Sequence, residues 1–406
     1  MIKKIKIQEL TTGMWVERFP GSWIERPFWK QSFLLTELKD LQTIRKSGIP
    51  ALWINTDRGR DIARPVVEEP APEPVEEEVA PPKELRAEDA MALERESVEN
   101  EIQLAYPLCD SAREAVSSLF GLSQFGRGVQ LDDARGIVLT LIESLERNRD
   151  VILSIARLKT EMDYTYTRSV AVSGLMIALA YSLELDKDQI EEAGIAGLMF
   201  DVGMMTVPPE IRFKKTALSE AELQIVKQHP TESYNILKQA GQFSDAVLDV
   251  CLHHHERLDG RGYPDQLVGE EISQLSRMAA ICVAYDSLVS DRPYRRAVSS
   301  TEAIKEMFKR SVTQFDATML EAFVKAVGIY PLGTIVRLKS DRLAVVVAQS
   351  KRSLLKPDVK VFYSIKSGIR VAPEIVCLSS ALARDEIVSH EDPATWGLSN
   401  TDDLWR

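Results

Sequence analysis

The sequence predicts a mainly α-helical protein with a small α/β domain at its N-terminus and a short β element at its C-terminus. Apolar residues recur at helical spacing across residues 89–329, strand-like runs occur before and after that stretch, and a run rich in proline and glutamate interrupts the chain early. We therefore predict a small α/β domain, a linker, a helical domain, and a β element with a tail, at residues 1–61, 62–88, 89–329 and 330–406.

The N-terminal domain is predicted from strand and helix signals. Two short apolar runs, residues 2–7 and 51–54, suit strands, and between them Thr36 can cap a helix that Gly48 ends. Four of the six tryptophans of the chain fall in this domain: Trp15, Trp23, Trp29 and Trp53. We interpret them as the core of a very small domain, with an aromatic ligand face as the alternative.

The linker prediction depends on charge and proline content. Residues 65–82 contain six glutamates and neither lysine nor arginine, so they account for −6 of the formal net charge of −11. Alternating proline and glutamate cannot bury apolar surface, and such a segment favours extended conformations and repels itself. We expect the modules on either side to move relative to one another.

Composition limits the classes of function. A net charge of −11 argues against general nucleic-acid binding, and no apolar run is long enough to cross a bilayer. The chain shows no signal peptide at its start. The cysteines form no C-x-x-C pair and are interpreted as reduced thiols: Cys109, Cys251, Cys282 and Cys377. We therefore expect a cytoplasmic protein with no membrane span and no nucleic-acid partner.

Helix boundaries can be placed within the helical domain. Asp186 can begin one helix, and Ser219-x-x-Glu222 is a capping box that begins another. Pro230 is expected to end that second helix directly after His229. Beyond residue 329 the apolar pattern changes to short strands, at residues 334–338, 344–347 and 359–363. The stretch after Asp385 is polar and is expected to be loosely held.

One stretch carries most of the functional signal. The chain has five histidines, and three are consecutive, at residues 253–255, directly after an apolar helical run. Gly260, Gly262 and Pro264 follow and predict a turn. Neutral imidazole is the commonest metal ligand in proteins, so the pattern indicates a metal site at a helix end. A solvated polar helix end is the alternative.

His254-His255-Glu256 followed by Asp259-Gly260 and Gly262-Tyr263-Pro264 resembles the signature of HD-GYP proteins. They are a branch of the HD metal-phosphohydrolases, and their active members hydrolyse cyclic di-GMP. The resemblance covers most of residues 163–297 and implies an all-helical HD-type core. It also implies a site with at least two metals that activate water between them. The first 61 residues are similar to the small domain that precedes many HD-GYP domains.

The resemblance is broken at three ligand positions. Arg168 stands where the family has its first histidine, Phe200 replaces the histidine of the His-Asp pair, and Val283 replaces the last aspartate. Met204 replaces a lysine that usually follows the pair. Arginine stays protonated and has no lone pair for a metal, so Arg168 cannot act as a ligand.

The resemblance implies that the ligands of one metal remain, at Asp201, His229, His254 and His255. Three imidazoles and a carboxylate are an adequate set for one divalent ion, of iron, manganese or zinc. We therefore expect at most one ion, with Arg168 replacing the missing cation electrostatically. A site without any metal stays open as the alternative. His253 is an addition to the family pair and is expected to face solvent.

Other parts of the signature imply binding surfaces. Arg292 and Arg295 match the family's basic segment that faces substrate phosphates, although they could be ordinary surface charges. Gly262, Tyr263 and Pro264 match an exposed loop that is associated with contacts to GGDEF-type diguanylate cyclases, and a rigid turn is the alternative. We interpret Glu256 and Asp259 as carboxylates that fix this loop.

The site chemistry predicts a cyclic di-GMP signalling protein that is catalytically impaired and acts by binding. Its ligand would be cyclic di-GMP or a related cyclic dinucleotide, or a protein of that pathway, and we assign no catalytic residue. One alternative is an active, metal-dependent cyclic di-GMP phosphodiesterase working on a reduced metal site. The other is an interaction scaffold with a vestigial pocket.

Overall fold

The computed structural model describes residues 2–18, 32–36, 41, 44–45, 49, 51–60, 87–124, 129–155, 164–291, 295–311, 313–350, 352–380, 383–398 and 402–405. Residues 62–86 of the predicted linker, the helix end at Gly48, and Trp23, Trp29 and Arg292 lie outside these residues, whereas residues 87–88 of that linker belong to a helix. Within the described ranges, no helix is both long and apolar enough to span a bilayer.

The protein is mainly helical, as the sequence predicts, with a small antiparallel sheet near each end. It divides into two compact units, Met1–Glu99 with Lys351–Ser353 and Asn100–Ser350 with Leu354–Arg406. The domain boundaries at residues 61, 88 and 329 stay a prediction.

The first unit contains a sheet of four antiparallel strands in the order β1-β4-β2-β3. The strands are β1 (Ile2–Lys6), β2 (Trp15–Arg18), β3 (Phe33–Leu34) and β4 (Ala51–Asn55). Aliphatic side chains such as Ile5, Val16 and Leu52 fill its described core.

The tryptophan prediction is wrong for the two that are described, because Trp15 and Trp53 are half-buried rather than in the core. The ring of Trp53 lies beside Lys4 and Arg18, with 4.4 Å from the guanidinium carbon of Arg18 to the ring centroid. Such cations and rings attract each other through the ring quadrupole.

The helices are α1 (Ala87–Gln124), within which the two units divide, and then α2 (Leu131–Ile155), α3 (Tyr164–Ser182), α4 (Lys187–Met199), α5 (Pro209–Arg212), α6 (Glu220–Val226), α7 (His229–Ala240), α8 (Asp245–His253), α9 (Gln274–Val289), α10 (Ser300–Arg310), α11 (Ala317–Val327) and α12 (Asp402–Trp405). Helix α3 is buried throughout residues 167–180 and packs against α2, α4, α9 and α11. A helix surrounded in this way is apolar all round, which brings any polar side chain on it into the interior.

The predicted helix starts are confirmed, with one correction. Asp186 and Ser219 each form a capping box at the start of α4 and α6. Pro230, however, lies in the first turn of α7, which begins at His229. A proline is tolerated there because the first amides of a helix have no partner within it. His229 therefore begins a helix instead of ending one.

The C-terminal sheet is larger than predicted. Its five antiparallel strands have the order β8-β7-β6-β5-β9, and the predicted three runs correspond to β5 (Ile335–Leu338), β6 (Arg342–Ala348) and β7 (Asp358–Ser364). Strands β8 (Ile369–Cys377) and β9 (Ile387–His390) were not predicted. The expectation of a loose tail is wrong for β9, which pairs with β5.

Candidate metal centre

Helix ends deliver the predicted ligands to one place. His254 caps the end of α8 and His255 follows it, His229 begins α7, and Asp201 begins the turn after α4. Asp201, His229 and His254 are buried, whereas His255 is half-buried. One ligand atom from each of the three imidazoles lies within 4.8 Å of the others.

Backbone carbonyls orient two of the imidazoles. His229 donates from Nδ1 to the carbonyl of Val226 at 2.7 Å, and His254 donates from Nδ1 to the carbonyl of Cys251 at 3.0 Å. Because Nδ1 carries the proton in both rings, Nε2 carries a lone pair. The two Nε2 atoms face each other at 3.2 Å, and Asp201 Oδ1 lies 3.2 Å from His229 Nε2. Three lone-pair atoms thus converge.

Burial and charge set the protonation of this group. Burial lowers the pKa of His229, and it lowers that of His254 to about 3, so both imidazoles are neutral at pH 7. Burial alone would raise the pKa of Asp201, but the guanidinium of Arg168 and the imidazoles outweigh it and hold that pKa below its usual value. The cluster therefore offers two neutral nitrogens and an ionised carboxylate.

This arrangement fits a divalent cation. Asp201 Oδ1 is buried and accepts no hydrogen bond from the described residues. Converging lone pairs without a donor between them are unfavourable unless a positive charge joins them. In a tetrahedral zinc site with bonds of about 2.0–2.1 Å, neighbouring ligand atoms lie ~3.3 Å apart. The two separations of 3.2 Å match that spacing.

Arg168 occupies the other side of Asp201. Its Nη1 donates to Asp201 Oδ2, and its Nε lies 3.4 Å from Asp286 Oδ2. The side chain of Arg168 is 9% exposed, and both carboxylates are 1% exposed, so water screens this triad little. The guanidinium carbon lies 5.0 Å from the ring centroid of Phe200, whose ring meets that of His254 edge-on at 4.9 Å. Two of the three replaced ligand positions therefore line the cluster.

Asp286 was not predicted as part of this site. It lies three residues after the buried Val283 on α9, and therefore nearly one helical turn along the same face. The sequence held one signal for Asp286: it lies one helical turn from position 283, where the family has its last aspartate.

The Gly262-Tyr263-Pro264 segment folds over His255. The Tyr263 and His255 rings stack with centroids 4.8 Å apart and planes at 20°. A Cβ atom on Gly262 would lie 2.4 Å from the Cα of Glu256, so only glycine permits this approach. The expected exposed loop is corrected, because Gly262 is buried and Tyr263 and Pro264 are half-buried. The partner contact of this loop stays a prediction.

Carboxylates fix this loop, as expected. Glu256 Oε1 accepts from the amides of Asp265 and Gln266 at 2.7 and 2.9 Å. Asp259 bonds to Arg257 through both oxygens. The expectation for His253 is wrong, because its side chain is only 13% exposed and its ring lies between two carboxylates.

Comparison with known proteins shows the family of this chain. A family model for the HD domain matches residues 150–319, and a model described as a domain of unknown function (DUF3391) matches residues 2–134. "Cyclic di-GMP phosphodiesterase PA4108" of Pseudomonas aeruginosa is 42% identical over 406 residues, which are 100% of this chain and 96% of the relative. The chain belongs to the HD-GYP family.

Two further comparisons cover less of the chain or are more distant. "Cyclic di-GMP phosphodiesterase PdeB" of Borreliella burgdorferi is 31% identical over 210 residues, which are 52% of this chain and 55% of the relative. The solved structure titled Bd1817, an HDG"Y"P protein from Bdellovibrio bacteriovorus, is 15% identical with a TM-score of 0.47 and covers 80% of this chain and 99% of its own.

Of the two predicted phosphate-binding arginines of this HD-GYP protein, only Arg295 is described by the structure. Arg295 donates from Nη2 to the carbonyl of Ser287, so part of its guanidinium holds the last turn of α9. Asp291 accepts from the amide of Ala297 at 2.8 Å and closes the same loop. Arg292 lies outside the described residues. The phosphate role of both arginines stays a prediction.

Ser233 is a site residue of this HD-GYP protein that sequence reasoning missed. Its buried hydroxyl accepts from the amide of Gly203 at 2.9 Å and donates to the carbonyl of Phe200 at 2.8 Å. These two backbone groups stand on either side of Asp201, while Ser233 lies one turn after His229 on α7. The hydroxyl therefore fixes the carboxylate of Asp201 relative to the imidazole of His229. A serine inside a helix gives no sequence signal for such a role.

Proposed function

We propose that this HD-GYP protein binds a cyclic dinucleotide, cyclic di-GMP or a close relative of it, and that its hydrolytic activity is impaired. Asp201, His229, His254 and His255 would hold at most one divalent ion of iron, manganese or zinc. The observation that carries the proposal is the bond from Arg168 to Asp201 Oδ2, with Asp286 on the other side of the guanidinium.

The chemistry of that bond limits catalysis. A bound divalent ion would supply charge neutralisation for a phosphodiester and lower the pKa of water. A carboxylate that bridges two cations offers one oxygen to each. In this chain Asp201 Oδ1 faces the imidazoles, whereas Oδ2 accepts from Arg168. Arg168 supplies positive charge but no lone pair, so it can attract a phosphate but cannot orient an attacking water as a metal does.

The names of the relatives support the ligand class. The full-length relative and the shorter one are both named as cyclic di-GMP phosphodiesterases. A ligand with two phosphodiesters also suits a site in which a cation and a guanidinium stand side by side. A GGDEF-type diguanylate cyclase as the partner of residues 262–264 stays a prediction.

One observation favours a second function, an active cyclic di-GMP phosphodiesterase on the reduced site. Identity of 42% along the whole chain to a protein named as such an enzyme is high for a protein of changed activity. In that case the three imidazoles and Asp201 would suffice for hydrolysis.

One set of measurements separates the two. Protein purified without oxygen is analysed for bound metal, titrated with cyclic di-GMP by calorimetry, and incubated with the dinucleotide and Mn²⁺ or Fe²⁺. Binding without linear or mononucleotide product supports the proposal, and multiple turnover establishes the second function. If cyclic di-GMP does not bind, both proposed functions are overturned and the interaction scaffold with a vestigial pocket is left.

The matched control is a histidine substitution outside the cluster. His229→Ala is expected to remove the bound ion. His390→Ala, in β9, is expected to leave it in place, because His390 lies outside the group of three imidazoles.

A further inference from the structure

The ring of His253 connects α8 to the loop after Pro264 and, through Asp249, to the start of α9. Its Nδ1 lies 2.7 Å from Asp249 Oδ1, and its Nε2 lies 3.0 Å from Asp265 Oδ2. Because carboxylate oxygens only accept, both ring nitrogens donate. Asp249 lies one turn earlier on α8, whereas Asp265 lies in the loop directly after Pro264.

The Asp249 side of this bridge is fixed. Asp249 Oδ2 accepts from the hydroxyls of Ser273 and Ser276, at the start of α9. Ser273 also caps α9 by accepting from the amide of Ser276. The carboxylate that accepts from His253 Nδ1 is therefore bonded to the start of α9. These bonds fix the position of the His253 ring, which can then hold the loop.

The Asp265 side of the bridge lies next to the tyrosine on His255. Residues 253 and 265 are joined by the imidazole–carboxylate bond, and residues 255 and 263 are joined by the ring stack. The amide of Tyr263 also donates to the carbonyl of His255 at 3.4 Å. The pairs 253–265 and 255–263 have the spacing of neighbouring residue pairs in two antiparallel strands. The bond between His253 and Asp265 therefore also restrains Tyr263.

His255 is the imidazole that this tether reaches. His229 and His254 are oriented by bonds from Nδ1 to backbone carbonyls. His255 is less buried, and the stacked ring of Tyr263 restricts its side chain. Second-layer contacts of this kind orient metal ligands, and their loss typically costs about 10–100-fold in metal affinity.

We propose that His253 is a positioning residue that clamps residues 263–265 onto His255 and thereby orients the third imidazole of the cluster. Its effect on metal affinity rests on the proposed metal site, whereas its effect on the loop does not. The pair with Asp265 adds little to global stability, because the Asp265 side chain is 53% exposed. A positioning role and a merely structural one therefore predict different results.

The test uses Asp265 in the full-length chain. Asp265→Ala removes the acceptor of His253 Nε2, whereas Asp265→Asn keeps a side-chain oxygen that can accept, and both keep the backbone amide bonded to Glu256. The control is Asp110→Ala, which removes a carboxylate that is 61% exposed and paired with Arg113. The readouts are the visible spectrum and affinity of bound Co²⁺, and amide exchange of residues 258–268 in metal-free protein.

The inference predicts that Asp265→Ala weakens Co²⁺ binding about tenfold and speeds amide exchange in the loop, with an unchanged melting temperature. Asp265→Asn is expected to stay within about threefold of the unsubstituted protein, and Asp110→Ala is expected to match it. Unchanged loop exchange in Asp265→Ala overturns the clamp. If the unsubstituted chain binds no Co²⁺, the proposed metal site fails, and loop exchange alone then decides the clamp.

Discussion

Replacing Arg168 with leucine tests the electrostatics of the cluster most directly. The guanidinium contacts Asp201 and Asp286, and all three side chains are at most 9% exposed. Removing one partner of a buried ionic group leaves charge that water cannot reach, which typically costs about 3–5 kcal/mol. We expect Arg168→Leu to lower the free energy of unfolding of metal-free protein by about that amount at pH 7.5.

Arg277 provides a matched control. It also contacts two carboxylates, Glu270 at 3.3 Å and Asp316 at 3.2 Å, and its side chain is 15% exposed. Its partners are 92% and 24% exposed, so water can solvate them when the arginine is removed. Arg277→Leu should therefore cost only about 0–1 kcal/mol.

The loss in free energy of unfolding caused by Arg168→Leu, called its deficit below, should also depend on pH. In the unsubstituted protein the pKa of Asp201 is lowered, so its contribution is present above the unfolded pKa, about 3.9, and is lost only as pH falls through the lower folded pKa. Without the guanidinium, burial raises the pKa of that carboxyl. The variant should therefore recover part of its deficit between pH 7.5 and pH 5, where the carboxyl takes up a proton.

Urea unfolding followed by far-UV circular dichroism at both pH values measures these free energies. A cost for Arg168→Leu no larger than that for Arg277→Leu would refute the reasoning. So would a deficit that does not shrink at pH 5.

Three further predictions concern the site. Metal analysis should find more ions per chain after three back-substitutions, and an unchanged count would contradict the ligand assignment: Arg168→His, Phe200→His and Val283→Asp. Ser233→Ala should cost about 1–3 kcal/mol in urea unfolding, because it leaves two buried backbone groups without their partner, and a loss below that of an exposed serine would exclude the role given to Ser233. Zinc affinity measured by chelator competition should fall less between pH 7.5 and 6 than three ordinary imidazoles would cause, because burial lowers the pKa of His229 and lowers that of His254 to about 3, and a fall as large as three ordinary imidazoles give would contradict those pKa directions.

The helical fold could be predicted because periodicity and capping are local. The capping boxes at Asp186 and Ser219 stand where the sequence places them. Strand β8 was missed because it contains Pro373, which argues against a strand in a sequence, and because much of its surface is exposed, so it lacks the apolar alternation of a half-buried strand. Trp15 and Trp53 were assigned to the core because size favours burial, but their cation contacts come from other strands and loops.

Only those site residues that stand in a short, contiguous sequence motif could be predicted. The histidines stand in recognisable contexts, and the structure brings the imidazoles of His229, His254 and His255 together. Asp286 and Ser233 act through partners 118 and 30–33 residues away in the chain. Such pairings depend on tertiary packing and leave no trace in one sequence.

The arginine between two carboxylates also limits how this protein can change by single substitutions. A bound metal ion can be lost or replaced without any change in sequence. The guanidinium of Arg168 is covalently part of the chain, so only a substitution can remove it. Any neutral residue at position 168 would leave two buried carboxyl groups without the guanidinium that contacts both. A chain that acquired a two-ion site by single substitutions would therefore pass through an unstable intermediate unless several positions changed together.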